Sequence, residues 1–293
     1  MTPIEKLKDI LKEFDSNKNQ YVTNPGKDFT RKRKISFYDM IWFLIFIGAN
    51  SMEEEIWRAF NDKAFSYISS PAILKSRGKI KITAFEQLFH KFNDSLESPK
   101  KYKGYRVLAV DGSDFSSLYS ADSEYATISN RYGGANRMHV NFAYDILNKN
   151  FLDCVIDAKN VADERKGTVK MLTSLASSEK ILAIMDRGYD GLKMFEHCNR
   201  ISNLSYLIRI RSGMTNEIKA LADKELDLDL QFSVTTQSKR QPYRMKIQAW
   251  DMELPCTVSF RLVKVKVKGK WLVMATNLPR RDFFAFPQQK GFV

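Results

Sequence analysis

Cysteine, histidine and long apolar runs are scarce in this sequence, and each scarcity removes a class of function. The three cysteines (Cys154, Cys198, Cys256) lie far apart and form no C-x-x-C pair. The three histidines (His90, His139, His197) show no H-x-x-x-H spacing. A disulfide framework is therefore excluded, and a zinc site is not expected. The longest apolar run, Met40–Ala49, is too short to span a bilayer and reads as a buried core helix. The opening residues Met1-Thr2-Pro3-Ile4-Glu5 do not form a signal peptide. These absences predict a reduced, cytoplasmic protein with neither a membrane partner nor a small-molecule cofactor.

What is present is a basic chain with enough apolar residues to fold. Hydrophobic residues make up 44% of the 293, so a core can be buried and wholesale disorder is excluded. The net charge of +13 favours a polyanionic partner, nucleic acid before an anionic membrane surface.

The pattern divides the chain into four parts. Residues 1–100 read as helical. Thr2-Pro3-Ile4-Glu5 is a capping box with Pro at the first helical position, and Ile4, Leu7, Leu11 and Phe14 share a face. Ser51 with Glu54, and Thr83 with Glu86, repeat the capping pattern. Residues 101–211 read as an α/β core in the order β-β-β-α-β-α-β, a mixed sheet with helices packed on it. The first strand, Arg106–Val110, is expected to end at Asp111. Met138 to Ile146 and Leu152 to Ala158 alternate with period two around an Asn148-Lys149-Asn150 turn. Ile181–Met185 is a buried strand that ends at Asp186. Residues 212–276 look β-rich, with strands at Phe232–Thr235, Arg244–Trp250, Cys256–Val267 and Trp271–Thr276, the last two joined by a tight turn at Gly269-Lys270. Residues 277–293 form a tail.

Asp111 and Asp186 occupy equivalent places, each following a short apolar strand. Side chains at the carboxyl ends of neighbouring strands converge on the crevice where α/β sheets place ligands. Two carboxylates held there bind hard divalent cations, and two such ions roughly 3.5–4 Å apart serve in-line attack on a phosphodiester. An Asp after a strand is also a common helix cap or turn residue. The density of Asp, Gly and Arg in Asp111-Gly112-Ser113-Asp114 and Asp186-Arg187-Gly188-Tyr189-Asp190-Gly191 exceeds what a cap requires.

These blocks resemble the DDE transposases of the IS-four group of insertion sequences. Val110-Asp111-Gly112-Ser113 is similar to the block around that family's first Asp, and Ile184-Met185-Asp186-Arg187-Gly188-Tyr189 to the block around its second. Gly133–Leu147 resembles its second-strand segment, and Phe29–Lys34 its basic entry. The resemblance runs from about residue 29 to 280. It implies a ribonuclease-H-like mixed sheet with an N-terminal helical, DNA-binding domain and a β-rich insertion. It also implies Asp111 and Asp186 as catalytic metal ligands, Mg2+ or Mn2+ as cofactor, duplex DNA as partner and a homodimer on DNA. Asp114, Tyr189 and His139 are candidates to support the ligands, and Arg187 to contact DNA. The family's third carboxylate is a Glu in a Tyr-x2-Arg-x3-Glu-x6-Lys helix beyond the insertion. No such motif follows Thr276-Asn277-Leu278-Pro279-Arg280, so the chain is expected to be truncated and inactive alone.

Further DNA-contact candidates are Arg31, Lys32, Arg33 and Lys34, a basic cluster ahead of a helix that reads equally as a solvated turn. Met52–Phe60 and Pro71–Arg77 form a possible helix-turn-helix that would turn Ser76 and Arg77 towards DNA. Lys264, Lys266 and Lys268 alternate with Val263, Val265 and Val267, which gives a strand one basic face; lysines protecting a sheet edge give the same pattern. The function expected is metal-dependent DNA cleavage and strand transfer. Its rivals are a non-catalytic, DNA-binding inhibitory remnant and a stand-alone nuclease with the same core.

Overall fold

The computed structural model describes residues 2–31, 34–60, 68–96, 99–129, 133–221, 223–235, 255–280 and 283. Lys32, Arg33, the expected strand Arg244–Trp250 and residues 281, 282 and 284–293 of the tail lie outside the described residues. Contacts divide the chain into two units, Met1–Ser98 and Pro99–Val293.

The first unit contains helices α1 (Pro3–Ser16), α2 (Phe37–Phe46), α3 (Met52–Phe60), α4 (Ser70–Arg77) and α5 (Thr83–Ser95). Thr2 and Glu5 close a reciprocal capping box on α1, and Ser36 and Asp39 do the same for α2. The apolar run Met40–Ala49, expected as a buried core helix, is so only in its first half: Met40, Ile41 and Phe43 of α2 are buried, whereas Ile45, Phe46 and Ile47 are exposed and the helix ends at Phe46. Its side chains pack with Leu11 and Phe14 of α1 and Ile73 of α4 into one core. The cap expected at Thr83 does not form. Ile82 precedes the helix in a helical conformation, and backbone bonds from Ala84 to Lys81 and from Phe85 to Ile82 satisfy the first amides instead.

The second unit is built on one nine-stranded sheet. Its strands are β1 (Arg106–Leu118), β2 (Ala126–Ser129), β3 (Gly133–Asp145), β4 (Asn150–Ala158), β5 (Ile181–Met185), β6 (Leu204–Arg209), β7 (Leu226–Val234), β8 (Cys256–Val267) and β9 (Lys270–Thr276). The order across the sheet is β4-β3-β1-β5-β6-β9-β8-β7, with β2 against the start of β3. Neighbours β4, β3 and β1 are antiparallel, β5 and β6 run parallel to β1, and β9, β8 and β7 are again antiparallel. The sheet is mixed, as expected. The β-rich segment extends it rather than folding apart.

Helices α6 (Glu164–Ala176) and α7 (Leu192–Arg200) cover one face, and α8 (Asn216–Lys219) is a single turn. Met171, Leu172, Met194 and Phe195 from α6 and α7 pack on Leu108, Val110, Ala183 and Met185. The same core runs on through Val258, Phe260 and Ala275. On the other face Val107, Leu182 and Leu278 form a smaller cluster with Ile184 and Leu207 at its border. No helix among the described residues is long and apolar enough to cross a membrane.

Candidate functional site

Register brings the two Asp blocks side by side. β1 and β5 pair in parallel with Val110 opposite Met185, so Asp111 and Asp186 are the next residue on each neighbour. Strand alternation puts both on the face of Val107, Leu182 and Ile184. The two strands end differently from expectation. β5 stops at Met185, but β1 runs on to Leu118, because β3 pairs with it residue by residue from Asp111–Phe142 to Leu118–Ala135. Asp111 therefore sits within a strand, at the point where its edge towards β5 becomes open. Both carboxylates are exposed. Each turns one oxygen onto a local amide: Gly112 N donates to Asp111 Oδ1 at 2.9 Å, and Gly188 N to Asp186 Oδ1 at 2.6 Å.

The turn after Asp186 is held from below. Tyr189 is fully buried, and burial pushes its phenol well above the usual range. Thr168 of α6 donates to its hydroxyl at 3.5 Å. Arg165 of α6 donates to the carbonyls of Gly188 (2.6 Å) and Asp190 (2.9 Å). Asp190, whose side chain has no exposed surface, takes both oxygens' bonds from Arg211. Arg187 is exposed on the outside of this turn.

Beside Asp111 lies a notch. A Cβ on Gly112 would fall 2.7 Å from His139 Nε2 and 2.8 Å from Glu164 Oε1, so a larger residue there would push these side chains aside. His139 on β3 stands opposite Asp114 on β1, and His139 Nδ1 lies 2.7 Å from Asp114 Oδ1. Lys159 Nζ reaches the same carboxylate at 2.7 Å. Hydrogen bonds from Lys159 and then His139 hold Asp114 below the usual carboxylate range. With Nδ1 engaged, the buried His139 Nε2 has no hydrogen-bond partner among the described residues. Glu164 escaped the sequence reading because, next to the N-cap Asp163, it looks like an ordinary acidic helix start.

No three acidic, histidine or cysteine side chains among the described residues stand ready as a cation cage. The donors present do suit Mg2+ or Mn2+. Asp111 and Asp186, exposed on adjacent strands, offer the hard oxygen donors such ions take, whereas the notch between His139 and Gly112 lies on the opposite, helix-covered face.

Among the basic candidates, Arg31 and Lys34 line a cavity of about 1070 Å³ in the first unit. Lys27, Lys75 and Lys79 line it too, with Ser69 and Ser76, and no acidic side chain among the described residues does. The lysines of β8 are less uniform than their alternation suggests. Lys264 is mostly buried, stacks on Trp271 and pairs with Asp223. Lys266 also lies over Trp271, and Lys268 is exposed at the turn after β8. Val267, expected to pack, is about half exposed.

No curated protein matches the sequence. Among solved structures, the fold is similar to a piggyBac transposase in a synaptic complex with hairpin DNA, at 10% identity and a TM-score of 0.48. The likeness covers 94% of this chain and 60% of that one, so this chain spans less than two thirds of that protein's length. The sequence profile of the family described as Transposase DDE domain matches residues 102–283, the whole sheet unit from just before β1 to just after β9. The chain belongs to the Transposase DDE domain family.

Proposed function

We propose that this protein is an insertion-sequence transposase of the IS-four group. It would bind duplex DNA at element ends in the cytoplasm, as a homodimer, and carry out divalent-cation-dependent cleavage and strand transfer. The observation that carries the reading is the register of Asp111 and Asp186, adjacent on parallel strands where one strand ends and the other continues. Asp111 and Asp186 would hold Mg2+ or Mn2+ through the oxygen that each leaves off its local amide. When bound, such a cation stabilises the attacking and leaving oxygens of a phosphodiester. In cleavage, the oxygen of water bonds to phosphorus, the bond to the 3′-oxygen breaks, and that oxygen takes up a proton. In joining, the freed 3′-hydroxyl attacks a target phosphodiester in the same way. The chain's own work is positional: Arg165 and Asp190 fix the turn that carries Asp186, and pairing with β3 fixes Asp111. DNA binding by the first unit is supported by the cavity lined with Lys27, Arg31, Lys34, Lys75 and Lys79, suited to phosphates.

The test is strand cleavage of a duplex carrying the sequences that flank the gene, with Mn2+. Asp111→Asn and Asp186→Asn should each slow cleavage roughly 10²–10³-fold, the scale of losing one charge-stabilising group, without changing DNA affinity. Cleavage unaffected by both changes would refute the reading. DNA binding with no cleavage by the unaltered chain would favour the inhibitory, non-catalytic alternative.

A further inference from the structure

The cavity in the first unit has two facing walls, the loop of residues 26–31 and helix α4. The loop is fixed by its own bonds. Asn24 N and Nδ2 donate to Asp28 Oδ2 at 2.9 and 3.1 Å, and Asp28 N donates back to the Asn24 carbonyl at 3.0 Å. Thr23 N donates to the Lys79 carbonyl at 2.8 Å, which ties the start of the loop to the chain that leaves α4. Between these ties Phe29 is held at φ 55°, a left-handed conformation that bulky side chains rarely adopt. Such strain persists only where its surroundings enforce it, and it collects at ligand clamps. The Phe29 ring meets Phe37 edge-on and joins Ile35 and Ile68 as the apolar side of the cavity. A wall held in place in this way loses little freedom when a ligand enters.

On the opposite wall Ser69, Ala72, Lys75 and Ser76 recur at the three- and four-residue spacing of one helix face, and three of these four are small. The face therefore recedes and leaves the space open. Lys75 on this wall, and Lys27 and Arg31 on the loop, make no ion pair with an acid among the described residues. Cations that converge on a concave site without a counter-charge favour an anion within it. Duplex DNA is too broad to enter a cavity of about 1070 Å³, which has the size of those that enclose a small ligand. A bare phosphate has no use for the apolar side. A single nucleotide turned out of the base stack uses both, since its phosphate is anionic and its base is flat and largely apolar.

We infer that this cavity takes one unpaired nucleotide of a DNA strand, its phosphate between Lys27, Arg31 and Lys75 and its base against Ile35, Ile68 and Ala72. This rests on the proposed function only in taking DNA as the partner, and it is independent of Asp111 and Asp186. A strand end and a base extruded from within a duplex present the same chemistry, so both are tested.

The experiment is fluorescence anisotropy of the full chain with three labelled duplexes of one sequence: blunt, with one unpaired nucleotide at an end, and with one unpaired nucleotide in the interior. An unpaired nucleotide should tighten binding about 10-fold over the blunt duplex, the scale of one base contact. A gain only at the end identifies a strand end as the ligand, and a gain only in the interior identifies an extruded base. Ala72→Leu fills the floor without changing the charge and should erase the preference. Lys75→Ala is the second variant should the leucine unfold the helix, and it should shrink the preference. Leu74→Ala, exposed on α4 and outside the cavity, should keep it. Equal binding of the three duplexes by the unaltered chain, or a preference that survives both cavity variants, overturns the inference and leaves the proposed function standing. No binding of any duplex at low salt removes DNA as the partner, and the proposed function fails with the inference.

Discussion

Asp190 carries a charge with no exposed side-chain surface, and its partners explain how that is tolerated. Arg211 donates to it from its backbone N and from two guanidinium nitrogens, while Arg165 stands 4.0 Å away. Arg211→Ala would remove the two guanidinium bonds and leave the buried carboxylate with the backbone N at position 211 and Arg165 at 4.0 Å. Stability to urea should fall by about 2–3 kcal/mol, discounted from the fully buried case because Arg211 is itself more than half exposed. A loss below about 0.5 kcal/mol would mean that water reaches Asp190. The residues that read as chemistry in the sequence thus separate by burial. Asp111 and Asp186 are exposed and adjacent in register, whereas Tyr189, in the same block as Asp186, is a fully buried anchor. The sequence could not separate them, because an Asp-Arg-Gly-Tyr block does not say which side chain points inward. The approach of Glu164 to Gly112 was illegible for a related reason: the two lie about fifty residues apart, and no local pattern encodes their meeting.

At the scale of elements, apolar patterning located β5 and β8 closely, since their apolar side chains belong to the core. It missed the second half of β1. Residues Asp111 to Leu118 are mostly exposed and polar, and backbone pairing to β3 alone makes them a strand. The turn between β8 and β9 was displaced by one residue. Lys268 (φ 48°) and Gly269 (φ 76°) both adopt positive φ, which marks a type I′ hairpin turn. Gly269→Ala should cost about 1 kcal/mol in chemical unfolding, because the left-handed conformation brings Cβ against the carbonyl. The β7–β8 pair is tied by Asp227, which takes 2.7 Å bonds from Arg261 Nε and Nη2 and a 3.0 Å bond from Arg280. The Arg261 bonds, the largest cause, hold Asp227 below the usual carboxylate range against the opposing effect of burial. A depressed folded pKa contributes stability that is present above about pH 4 and is lost as pH falls through the folded value. Asp227→Asn should therefore lower stability at pH 7 and flatten its fall below about pH 4. An unchanged acid limb would assign that fall to other carboxylates.

For the whole molecule, the net charge of +13 is spread unevenly in what it can do. Lys264 is engaged with Asp223 and Trp271, while the first unit gathers five cationic side chains around one cavity. Replacing Lys27, Arg31 and Lys34 together by Ala should weaken DNA binding to all sequences. It should also reduce the slope of log affinity against log salt by about 2–3, since each phosphate no longer neutralised removes about 0.9. An unchanged slope would place the phosphate-binding cations elsewhere. Binding and chemistry would then be separable: the triple change alters DNA affinity, whereas changes at Asp111 and Asp186 alter only the reaction. If those two carboxylates serve one cation site, they act as a unit and their removal is not additive. The most direct measurement is the Mn2+-dependent cleavage rate of the unaltered chain, Asp111→Asn, Asp186→Asn and the double variant, at saturating DNA. Both single variants should fall roughly 10²–10³-fold and the double should fall no further. Losses that multiply in the double variant, or a single variant that keeps full activity, would contradict a shared site at the β1–β5 junction.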